Sequence, residues 1–144
     1  MANQAGYVMT ETEEQQALFE WANMMAGVHP ELKLMYHVPN EGKRSKATAG
    51  ILKSMGLKSG VPDICLPVPS GRFHGLYVEL KRVKGGKATK EQLWWLEQLD
   101  RQGYAVTICR GWKQASQNIL AYLNLVGGNT NDNRSRTSNR ETEQ

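Results

Sequence analysis

Four side chains with chemistry to offer stand out in this 144-residue chain: Asp63, Glu79 and Lys81 in the stretch GVPDICLPVPSGRFHGLYVELKR, and Glu14 in an earlier helical pattern. Residues 76–83 alternate as a strand does, so Tyr77, Glu79, Lys81 and Val83 share one face, and Leu76, Val78 and Leu80 the other. Asp63 follows Pro62 at the mouth of a preceding strand, and the loop 67–75 suits an antiparallel return that would set Asp63 near Glu79. At about 100° per residue, Glu14 falls on one helix stripe with Leu18, Trp21 and Met25, facing the sheet rather than water.

Carboxylates gathered in a partly buried cleft repel and raise one another's pKa, and one lysine cannot neutralise three of them. A hard divalent cation can. Mg²⁺, with Mn²⁺ able to substitute, takes oxygen ligands while keeping several waters. Such an ion activates water and stabilises a phosphate under in-line attack. Lys81 beside it would orient the water or offset developing charge. The chemistry would be metal-dependent phosphodiester hydrolysis. Plainer readings stay open on the residues alone. Any half-buried strand alternates, Asp63 can bond its own backbone in a turn, and Glu14 in a first helical turn favours the helix dipole.

The elements that must position these groups can be read from capping and periodicity. Residues 1–11 read as a flexible leader. A first helix is expected from Thr12, where Thr12-Glu-Glu-Gln15 fits a capping box, to about Ala26, with Gly27 and Pro30 ending it. A short strand at 34–38 breaks at Pro39-Asn40-Glu41-Gly42, and a basic helix follows over 45–55. Strands are expected over 63–68, 76–83 and 104–110. Between the last two lies a strong helix over 89–102. It opens on a second capping box, Thr89-Lys-Glu-Gln92, and has Gly103 at C′. A helix over 112–125 closes a domain spanning 12–126. The strand–helix–strand order implies a parallel crossover, and the class is α/β. Residues 127–144 carry no apolar side chain and read as a disordered polar tail.

Composition narrows the partners. Hydrophobic residues make up 40% and the net charge is +4, with lysine and arginine concentrated between Lys43 and Lys90. That excess is compatible with a nucleic-acid partner. No apolar run approaches the ~20 residues of a membrane span, and residues 1–16 lack the pattern of a signal peptide. A cytoplasmic protein is the expectation. Cys65 and Cys109 each lie in an apolar run and read as buried hydrophobes rather than a disulfide or zinc site. Lys84-Gly-Gly-Lys87 fails as a phosphate loop, since Lys81 stands where its first glycine belongs. His29, His37 and His74 have no zinc-site spacing. Asn133-Arg-Ser135 matches a glycosylation sequon, read as chance without a secretion signal.

Pro62-Asp63 followed by Glu79-Leu80-Lys81 resembles the PD-(D/E)XK nuclease superfamily. The ordered blocks HVPNEGKR, GLKSGVPDICLPVP, FHGLYVELKR and KEQLWWLEQLDRQGY resemble its VRR-NUC family, in particular the small stand-alone phage and bacterial members. The resemblance implies a restriction-endonuclease-like core, a mixed central sheet flanked by helices. It implies Asp63, Glu79, the Leu80 carbonyl and Glu14, the first-helix glutamate, as metal ligands, with Lys81 as the catalytic lysine and Gln92 as a catalytic-site glutamine. Gln92 is equally the N3 residue of its capping box. His37, Asn40, Lys43, Arg44 and Lys46 resemble the segment near the cleft and would hold DNA phosphate. For His37 a core or hairpin role is the competing reading. Trp94 and Trp95 read as core or subunit interface rather than a base-stacking platform. Small relatives of this type imply a homodimer that cuts branched DNA such as four-way (Holliday) junctions. The alternatives are a non-catalytic nucleic-acid-binding module on the same fold and an unrelated structural α/β domain.

Overall fold

The computed structural model describes residues 6–39 and 45–138, with side chains through Leu125. Helix α1 spans Glu11–Met25 and is capped by Thr10, not Thr12. The Thr10 hydroxyl takes the Glu13 N–H, and the Glu13 carboxylate returns to the Thr10 N–H at 2.8 Å. Both threonines are followed three residues on by Glu or Gln, so the motif is ambiguous in sequence. The earlier box gains an extra partner, because Glu13 also accepts from the Tyr7 hydroxyl at 2.6 Å.

One turn of 3₁₀ helix at Pro30–Leu34 replaces the start of the expected strand. It leaves only Tyr36–His37 for β1. Helix α2, Lys46–Ser54, starts at an N-cap Ser45 and buries none of its side chains. Strands β2 (Ile64–Leu66) and β3 (Leu76–Lys81) follow, then α3 (Lys90–Arg101) and β4 (Ala105–Arg110). Thr89 caps α3 and Gly103 follows its end at φ +90°, as the glycine signal implies. Helix α4, Trp112–Ser138, runs past the expected stop at Leu125 into the polar segment. Once a helix is nucleated on packed residues, each further turn costs little, even through weak formers such as Gly127 and Asn129.

The sheet order is β1-β2-β3-β4. Its first two pairings are antiparallel, and β3 pairs β4 in parallel across the α3 crossover. The core lies on the face covered by α1 and α4. Leu18, Ile64, Leu66, Val78, Leu80, Cys109, Ala115 and Ile119 meet there. Full burial of a side chain such as Leu18 or Ile119 contributes ~1.5–3 kcal/mol. Tyr122 of α4 and Ser70 clasp the loop after β2, each donating a hydroxyl to a carbonyl of the other's segment.

The opposite face of β3 is not left to solvent. Glu79 is 1% exposed and Lys81 6%, so the simple picture of a polar face turned to water does not hold. Helix α3 covers that side through its first turn, where Gln92 reaches Glu79.

Candidate active site

The antiparallel register pairs Ile64 with Val78. Continued towards the loop end of the pair, it sets Asp63 opposite Glu79 and Pro62 opposite Leu80. This gives the Pro-Asp dipeptide a physical role. Residues paired by hydrogen bonds across antiparallel strands exchange both N–H and C=O. Proline has no N–H, so Pro62 offers nothing to the Leu80 carbonyl. The Leu80 N–H is taken instead by a side chain, Oδ2 of Asp63, at 2.9 Å. The ladder therefore gives way to a carboxylate, with the Leu80 carbonyl projecting to the same side.

Asp63 is pinned from its own backbone too. Its carbonyl accepts the Val38 N–H at 2.7 Å and lies 2.8 Å from Nδ1 of His37. Of the residues expected to contact DNA, His37 is thus exposed beside the acidic pair; it is not a core histidine, and its contact with the Asp63 carbonyl ties β1 to the residue before β2. Lys46 is exposed on the first turn of α2. Asn40, Lys43 and Arg44 lie outside the described residues.

Glu79 is held by two donors on one oxygen. Oε1 accepts Nε2 of Gln92 at 2.9 Å and lies 3.4 Å from Nζ of Lys81. Gln92 caps its helix and also reaches Glu79. Its Oε1 accepts the Thr89 N–H at 2.9 Å, which turns its amide nitrogen towards Glu79. The cap thereby fixes the orientation of the amide, a matter that geometry at the site alone leaves ambiguous.

The other oxygen of Glu79, Oε2, is buried and meets no N–H or hydroxyl donor among the described residues, with the Asp63 carboxyl as its neighbour. An unpaired buried acceptor costs ~1–3 kcal/mol, more for a charged one. Burial first, and the negative charge of Asp63 second, push the Glu79 carboxyl up to about 8, against the pull of Lys81. Burial likewise raises Asp63, opposed by the Leu80 N–H. At neutral pH the pair therefore retains a proton. Two carboxylates and a strand carbonyl on one edge make an oxygen-donor set of the kind that would suit a hard divalent cation. The residues fit such an ion.

Glu14 is buried as its place on the apolar stripe implies, but its hydrogen bond goes to α4. Its Oε2 accepts the Trp112 N–H at 2.6 Å, satisfying one of the open donors at that helix's N-terminus. No group of three or more His, Cys, Asp or Glu has a cation-holding arrangement among the described residues. In this geometry two carboxylates converge rather than three.

Sequence reasoning gave Gly60 no role of its own. Gly60 has φ +88°, and a β-carbon there would stand 2.7 Å from Cβ of Glu91. The turn into Asp63 is therefore pressed directly on the first turn of α3. Trp95 fastens the same junction, donating Nε1–H to the Ser59 carbonyl at 3.0 Å. The available signal was a glycine two residues before Pro-Asp.

A model of the VRR-NUC domain family matches residues 9–113. A solved structure described as a VRR_NUC domain protein superposes with a TM-score of 0.69 at 25% identity, over 83% of this chain and 92% of that one. None of the curated proteins matches. Among the described residues, no helix is long and apolar enough to cross a membrane. With its matched span running from the first helix through Lys81 and Gln92 to the start of α4, the chain belongs to the VRR-NUC family, a nuclease domain of the PD-(D/E)XK type.

Proposed function

We propose that this chain is a divalent-metal-dependent DNA endonuclease that hydrolyses phosphodiester bonds in branched DNA, four-way junctions included, as a homodimer. The observation that carries the chemistry is the buried Oε2 of Glu79, which meets no N–H or hydroxyl donor among the described residues, beside Asp63 and with Lys81 at hand. A group that served only the fold would gain nothing from that arrangement. Asp63, Glu79 and the Leu80 carbonyl would hold Mg²⁺ or Mn²⁺, which when bound supplies Lewis acidity towards a phosphate oxygen and an acidified water.

The chain's own residues do the rest. Gln92 holds Glu79 in one rotamer, and the Leu80 N–H holds Asp63. Lys81, buried on the same face, is placed to orient the attacking water and to offset charge as the phosphate becomes pentavalent. Glu14 anchors the start of α4 behind the β3–β4 end of the sheet. The branched substrate and the dimer rest on the likeness to small stand-alone relatives and on size, since one small domain engages two strands symmetrically only through a partner.

The test is a panel of single-stranded, duplex, flap and four-way DNA, each with Mg²⁺ and with EDTA. Cleavage of the junction should require the metal and should fall about 10²–10³-fold in Asp63→Asn and in Lys81→Ala. Wild-type rates in Asp63→Asn would overturn the assignment of the site. Salt-dependent binding with no cleavage of any substrate would favour the binding-module reading.

A further inference from the structure

A groove of about 870 Å³ opens on the other side of α3's first turn, between Lys53, Leu57 and Lys58 on one wall and Lys90, Glu91 and Trp94 on the other. Trp94 was expected in the core or a subunit interface; at 55% exposed in the single chain it is not a core residue. Its neighbour Trp95 is tied to the Ser59 carbonyl and meets Trp94 edge to face, with centroids 5.6 Å apart at 90°. Trp94 is thus a supported ring with open surface, set among lysines.

We propose that this groove binds an unpaired nucleotide segment of the DNA, with a base stacked on Trp94 and the adjoining phosphates on Lys53, Lys58 and Lys90. The charge decides the occupant. Lys53, Lys58 and Lys90 against Glu91 give a positive lining, which complements a polyanionic strand. A second copy docked by the same surface would set these lysines against their own counterparts. Stacking on an exposed indole flanked by cations is how sequence-neutral single-strand sites gain affinity.

Position supports the same occupant. Trp94 lines the groove, while Gln92, about 200° away round the helix, reaches Glu79. A strand leaving the carboxylate pair and passing the first turn of α3 would reach Trp94 within that turn's width. The groove would then favour substrates whose paired and unpaired regions meet beside the scissile phosphate. The inference rests on the nuclease reading for why DNA reaches this face.

Binding is measured with Asp63→Asn protein in EDTA, so that cleavage plays no part. The probes are a short oligo(dT), a blunt duplex, and the same duplex carrying an oligo(dT) arm. The arm-bearing duplex should bind more tightly than the blunt one and quench tryptophan fluorescence. Adding Trp94→Ala should weaken arm-bearing binding about tenfold and remove the preference, while Trp94→Phe retains most of it. Changing Lys53, Lys58 and Lys90 to Gln should lower the salt slope for oligo(dT) by about two.

Equal binding of the two duplexes, or an unchanged preference in Trp94→Ala, overturns the proposal. So does conversion of a dimer to a monomer by Trp94→Ala without change in oligo(dT) affinity, which would make a second copy the occupant. Tryptophan-dependent arm binding together with no metal-dependent cleavage in wild type would retain the groove and reject the nuclease reading.

Discussion

Helices α1 and α3 open with the same device and use it differently. In α1, Thr10 and Glu13 satisfy each other's backbone N–H groups, and the spare acceptor capacity of Glu13 goes to the exposed Tyr7 hydroxyl. In α3, Thr89 and Gln92 do the same, but Gln92 is buried and passes an N–H on to Glu79. The difference is one of functional groups. A carboxylate has only acceptors, so after capping it can only receive. An amide has both, so one end caps the helix while the other holds a carboxylate. A local folding signal thus becomes part of a site when its N3 residue can donate and faces a strand.

Making the two boxes alike is the sharpest way to break this contrast. Gln92→Glu gives α3 the same pair as α1, keeps the cap, and replaces the donor to Glu79 with a third negative charge. Cleavage should fall about 10–100-fold with helix content unchanged by circular dichroism. The reciprocal Glu13→Gln should leave cleavage rates at wild type. Equal loss in both would mean that Gln92 acts only through the helix.

The two boxes should also respond oppositely to pH. Hydrogen bonds from Tyr7 and Thr10 lower the Glu13 pKa, so its contribution is present above the usual glutamate range and lost as acid protonates it. Burial and Asp63 raise Glu79, the acid that Gln92 holds, to about 8. Its folded form binds the proton more tightly than the unfolded chain, so metal-free stability should decline as pH rises from about 4.5 towards 8. Denaturant melts across that window should show the decline, Glu79→Gln should flatten it, and Mg²⁺ should offset it at the alkaline end.

The smallest effect is on the caps themselves. Thr10→Ala and Thr89→Ala should each cost about 1 kcal/mol in urea unfolding. Only Thr89→Ala should also slow cleavage, because it frees Gln92. If the two variants cut equally well, the link between cap and site is broken.

Much of this was legible in the chain because its signals are local. Gly103, Thr89 and the Pro-Asp turn each announce a boundary through backbone chemistry. Asp63, Glu79, Lys81 and Gln92 could be joined by strand alternation, one antiparallel return and the family likeness. What escaped was set by partners distant in sequence. Glu14 faces the interior as its stripe implies, yet its bond to the Trp112 N–H crosses the whole domain and leaves no periodic trace. The burial of Glu79 and Lys81 depends on α3 folding back over a face whose alternation looks like that of any exposed strand. The start of α1 hung on Tyr7, which lies outside the helix that it steadies.

Pro62 works by a hydrogen that it does not carry. Almost any other residue there would bring an amide able to engage the Leu80 carbonyl and extend the β2–β3 zipper by a rung. Asp63 would then compete for the Leu80 N–H with an ordinary ladder partner. The dipeptide therefore acts as a stop codon for strand pairing: it ends the sheet where an edge of oxygen atoms must begin. A variant that folded more completely at this point would be a better sheet and a worse site.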